Sequence, residues 1–181
     1  MKLSVLRIRS VRTAMLLYST LLAQVVAAPD LDPLRQLMKT IAAEVMAGKV
    51  DTLIAHTHPA VIALVGGDEK ARAVLPKMMR ADFDAVEQMG FKMTKYEVGE
   101  PETIRSEGDW TFVLLPTTLV AEGVKGKFTA KSHTLAVQKV GEPKWTLFRL
   151  GLPEPRVRRM LPELPADFAW PPKQPPKFEP H

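Results

Sequence analysis

An α+β fold, helices first and an antiparallel sheet after them, is predicted by three features of this 181-residue chain. Apolar residues recur at helical spacing up to Gly90, extended segments rich in Val, Thr, Phe and Leu follow, and short turn sequences rather than helices separate those segments. Consecutive strands joined by short turns make an antiparallel meander, whereas a parallel sheet needs crossover helices between its strands. The expected architecture is three N-terminal helical pieces packed on a curved four-stranded antiparallel sheet, with a proline-rich C-terminal tail.

The first helix starts at Asp32, placed as N-cap with Pro33 at the first helical position. Leu34, Leu37, Met38, Ile41, Ala42 and Val45 then form one stripe up to Gly48. Asp51 caps a short turn through Leu53 and Ile54, and AHTHP (55–59) stops it, because the residue before a proline is pushed out of the α region. Pro59 restarts a helical piece that ends at Gly66 and Gly67. A third full helix runs from Asp68 to Gly90, with a kink expected at Pro76, whose ring removes one backbone hydrogen bond. Segments 91–98, 110–121, 127–140 and 144–150 read as strands, and EGD, EGVKG and GEPK supply turn chemistry.

The N-terminus reads as a signal peptide over residues 1–27. Lys2, Arg7, Arg9 and Arg12 lead an apolar run from Ala14 to Val26, shorter than the roughly 20 residues of a membrane span. Val25 and Ala27 are small residues suited to cleavage before Ala28, which predicts a periplasmic or secreted product. The chain has 25 basic and 20 acidic residues, and cutting the leader removes four basic ones, so a formal +5 becomes +1. A nucleic-acid-binding domain needs a basic stripe to neutralise phosphates, and no such stripe remains. The chain has no cysteine, so no disulfide staples it and its stability must come from its core.

A resemblance follows from these residues. A long helix, a short helix, a broken stretch ending THPAVIALVGG, a third helix, and strands carrying VLLPTTLV (113–120), SHTLAV (132–137) and WTLF (145–148) resemble the nuclear transport factor 2-like superfamily. The LPELPADF segment and PPKQPPKFEP (171–180) are similar to a secreted bacterial branch of it. The resemblance implies a cone-shaped α+β domain over 28–162, with a pocket between sheet and helices. It also implies a possible homodimer through the sheet's outer face. Members include isomerases, cyclases, dehydratases and non-catalytic binding proteins, so the fold alone does not select an activity.

Four residues stand out as pocket candidates. On a helical wheel of about 100° per residue, Asp82 falls within the stripe formed by Leu75, Met78, Met79, Val86 and Met89, so it faces either a hydrogen-bond donor or a wet cavity. A carboxylate there suits a general base or a ligand anchor; a structural bond or exposure beyond the kink is the plainer reading. Tyr96 and His133 lie on strands, and an inward His133 beside Asp82 would form a proton-transfer pair. Neither face of 127–140 is cleanly apolar, so the period-2 pattern does not assign the inward one.

His56 and His58, one residue apart, provide two imidazoles where zinc needs three or four convergent ligands, so no metal is expected. The stretch is read as a turn in which Thr57 caps the next helix, with His58 a remaining pocket-lining candidate. The tail (163–181) takes an extended path set by its prolines, with Phe168, Trp170 and Phe178 as anchors on the domain or on a partner.

These observations favour an exported, non-catalytic binding or accessory module for a small apolar ligand or envelope partner, without a cofactor. A small isomerase, cyclase or dehydratase with Asp82 as general base is the alternative.

Overall fold

The computed structural model describes residues 29–181; the signal peptide and cleavage position expected from the sequence fall outside the described residues, as does the side chain of Asp82. Four helices precede the sheet: α1 (Asp32–Met46), α2 (Asp51–Ala55), α3 (Pro59–Leu64) and α4 (Asp68–Gln88). The strands are β1 (Phe91–Val98), β2 (Thr103–Glu107), β3 (Trp110–Gly123), β4 (Gly126–Lys139), β5 (Thr146–Arg149) and β6 (Lys177–Pro180), with helix α5 (Glu154–Met160) between the last two. The α+β order and the antiparallel pairing are as the sequence predicts.

The strand and helix counts differ from expectation. Six strands form one sheet in the order β1-β3-β4-β5, with β2 beside β1 on the free edge of β3 and β6 beside β5 on the free edge of β4. The two additional strands are short: β2 carries one large apolar residue, the exposed Ile104, and β6 forms only where the proline run ends. The broken stretch after α1 forms two short helices, one opening at Asp51 and one that Pro59 restarts, as the sequence predicts, so four helical pieces rather than three precede the sheet.

Aspartates predicted as caps sit one residue inside. Leu31, Val50 and Gly67 are the N-caps of α1, α2 and α4, and none gives a side-chain cap bond. Asp32, Asp51 and Asp68 occupy first turns instead, where the positive end of the helix dipole favours a carboxylate.

The long strands β3 and β4 are buried on both faces. Val113, Leu115 and Ala136 meet Leu34, Met38, Ile41 and Val45 of α1 together with Trp145 and Leu147. On the opposite face Phe112, Leu114, Leu135, Val137 and Phe148 meet Val157, Leu161, Leu164 and Phe168. Residues 150–170 thus cover the outer face with the chain's own apolar side chains, over the surface through which the resemblance would pair two copies.

Helix α4 is less buried than its stripe predicts. It passes through Pro76 as one helical element, Leu75 is buried, yet Met78 and Met89 are 56% and 59% exposed. Met89 borders a shallow space beside Phe91, Phe128 and Phe178 rather than the interior between helices and sheet. Phe83 on the same helix does reach the helix-side core.

Candidate functional site

The AHTHP connector is built as a turn, and both of its imidazoles bond to neighbouring backbone. The N–H of His58 donates to the Leu147 carbonyl at 2.9 Å and the Leu147 N–H donates to the His56 carbonyl at 2.7 Å, so the connector pairs with β5. His56 Nδ1 lies 2.7 Å from the Trp145 carbonyl. Thr57 does not cap α3; its hydroxyl donates to the Leu53 carbonyl, and His58 is the cap, its Nδ1 accepting from the Ala60 N–H at 3.1 Å. Burial pushes the His58 imidazole below its ordinary value, with the Glu163 carboxylate opposing in part. A neutral ring is what the cap requires, since a protonated Nδ1 cannot accept. Among the described residues no cluster of three His, Asp or Glu could hold a metal ion.

Tyr96 and His133 lie on opposite faces of the sheet. Tyr96 stands opposite Leu119 and packs with the helix-side core, where burial raises its phenol above the ordinary value and a hydrogen bond to Thr117 acts in the other direction. It is therefore a neutral phenol near neutral pH. His133 alternates with Ala136 and shares a face with Leu135 and Val137, on the side that residues 150–170 cover. Its Nε2 lies 3.0 Å from Glu102 Oε2, and its side chain is 10% exposed against 50% for Glu102. The structure does not bring Tyr96 and His133 together. Helix α4, which carries Asp82, packs on Tyr96's side through Phe83.

Of the sequence candidates, His133 is the one in a cleft that the tail helps to enclose. Lys131, Ser132 and His133 of β4, Leu150 to Glu154, and Trp170 to Gln174 line a space of about 600 Å³. That volume lies in the ordinary range for small-ligand sites, roughly 300 to 1,000 Å³. Leu150, Leu152, Trp170 and three prolines form apolar wall, while Lys131 and Lys173 bring two cations. Glu154 also borders it, but Arg158 Nε holds its carboxylate at 2.7 Å. Sequence reading singled out His133 and Trp170 and missed the lysines and Leu150 and Leu152. The one available signal was proximity in sequence to a strand end and a proline run.

The far wall is fixed by a single guanidinium. Arg158 on α5 donates to the Pro165 carbonyl at 2.8 Å and to the Phe168 carbonyl at 3.1 Å while gripping Glu154. Phe168 is buried against Phe112 with ring centroids 6.4 Å apart. Trp170 is therefore presented from an anchored segment. Phe178 is 50% exposed and stacks edge-on with Phe91 at 6.0 Å. Comparison of the chain with protein-family models, with curated proteins and with solved structures gave no match.

Proposed function

We propose that the chain is an exported, non-catalytic binding module of nuclear transport factor 2-like type, whose ligand sits in the cleft between β4 and the C-terminal tail. The observation that carries this reading is the roofed cleft itself, a space of about 600 Å³ with a buried histidine in its lining and Trp170 in its wall. Its wall is apolar and its cations are not matched by a free carboxylate, which suits a small ligand with an apolar body and an anionic group. The tail acts as wall rather than as a separate partner arm. The signal peptide delivers the module to the periplasm or beyond, where a chain without cysteines needs no oxidative folding.

The isomerase-type reading loses its imidazole, because His133 faces away from the side on which α4 and Tyr96 pack. The test is titration of the chain from Ala28 onward with a panel of aromatic and aliphatic carboxylates, followed by Trp170 fluorescence and by the His133 ring resonances. The expected result is a saturable change at both residues that Trp170→Ala abolishes and Asp82→Asn leaves intact. Turnover of any panel member that Asp82→Asn removes would overturn the non-catalytic reading.

A further inference from the structure

The inner wall of the cleft is an interruption in the sheet. On the free edge of β4, β5 pairs with Thr134 to Val137 and β6 pairs with Gly126 to Thr129, and neither pairs with Ala130 to His133. Four residues of strand span roughly 13 Å at about 3.3 Å per residue. The His133 carbonyl points outward, since it accepts from the Leu150 N–H at 3.0 Å. In an antiparallel ladder alternate residues direct both backbone groups to the same side. The N–H and carbonyl of Lys131 therefore also point outward, while Ala130 and Ser132 turn theirs to β3. Among the described residues no strand partner meets Lys131 on that edge.

The chain's composition keeps both neighbours from closing this gap. Continuing the β6 register would bring Pro176 opposite Ala130 and Pro175 opposite Lys131, and a proline has no N–H to give the Lys131 carbonyl. From the other side, the chain after β5 turns off at Gly151, whose N–H bonds back to the Arg149 carbonyl at 2.8 Å. What remains is an open donor and acceptor pair at the base of the cleft, beside the Lys131 side chain, with Lys173 and Trp170 across it.

Resting on the reading of this cleft as the binding site, we infer that its ligand is a short, extended acidic peptide segment that adds one residue of strand to β4 at Lys131. The backbone of that residue exchanges two hydrogen bonds with Lys131, and an acidic side chain on it meets the Lys131 and Lys173 ammonium groups and lays its methylenes against Trp170 and Leu152, while the residues on either side turn to the opposite face of the sheet. Strand addition of this kind takes affinity from main-chain bonds and selectivity from side-chain pockets. Opposite charges directly across a ladder reinforce it.

The probe is acetyl-Val-Glu-Val-amide, titrated into the 15N-labelled chain beside the same peptide N-methylated at Glu and beside glutarate, a diacid with no amide. The expected result is that the unmodified peptide slows hydrogen exchange of the Lys131 amide at least tenfold. N-methylation should then weaken binding tenfold or more. The exposed substitutions Lys131→Glu and Lys173→Glu should each do likewise, without a change in circular dichroism. Equal binding of the N-methylated peptide, or an unchanged Lys131 amide, overturns the inference. Glutarate perturbing Trp170 as strongly as the peptide overturns it while leaving the binding cleft standing. Silence from all three probes at Trp170 and His133 overturns both.

Discussion

The two faces of the sheet are buried by different means, and the difference separates stability from binding. The helix face is closed chiefly by α1, whose four buried residues, Leu34, Met38, Ile41 and Val45, repeat at helical spacing, with Leu53 of α2 and Phe83 of α4 packed beside it. The outer face is closed by a short helix and an irregular segment, α5 and residues 161–170, held by Arg158 and by three hydrophobic anchors, Leu161, Leu164 and Phe168. Regular packing leaves less room, a space of about 180 Å³ between α1 and Val98, Gly99 and Leu115. An irregular cover crosses the sheet at its own angle and leaves a cleft where it lifts away, which is where His133, Lys131 and Trp170 meet.

The largest expected effect is removal of the outer cover. Truncation after Met160 would expose Phe112, Leu135 and Phe148 together, and we expect loss of the cooperative unfolding transition and aggregation. A folded monomer after that truncation would mean that the helix face alone sustains the domain. Phe148→Ala and Ile41→Ala probe the two faces by single cavities. Each should lower stability by about 2–5 kcal/mol in denaturant unfolding. A marked inequality between them would show which core dominates.

Arg158→Met should have a smaller effect, about 1–3 kcal/mol, because it strips donors from two carbonyls and a half-buried carboxylate. Its distinguishing readout is faster hydrogen exchange in residues 165–170 with α1 unaffected. Stability should also fall with acid in a way traceable to His58. Its folded imidazole titrates below the unfolded value, so the unfolded chain takes up the proton first, and stability present above pH about 6.5 is lost as pH falls through the lowered folded value. His58→Asn keeps an N-cap acceptor and should flatten that part of the pH profile. The smallest effect is deletion of 177–181: β6 is exposed along its length, and the loss should stay near or below 1 kcal/mol.

Legibility followed the same division. Helix α1 and strands β1, β3, β4 and β5 were readable because stripe and turn chemistry agree along them. Strand β4 defeated face assignment for a physical reason: Leu135 and Val137 enter one core and Ala136 the other, so alternation cancels where both sides are dry. A hydroxyl is the usual cap acceptor, so the sequence points to Thr57 at the start of α3, and nothing local announces that His58 turns its ring onto Ala60. Of the cleft, His133 and Trp170 could be singled out. Lys131 and Leu152 could not, since their meeting depends on how residues 150–176 cross the sheet.

Pairing of the connector with β5 also has a temporal meaning. The entry to α3 is clamped only when Leu147 arrives, about ninety positions downstream, and a ring closure of that length is slow to find. During synthesis, the first half of the polypeptide must therefore wait, with the entry to α3 unclamped, until Leu147 has emerged.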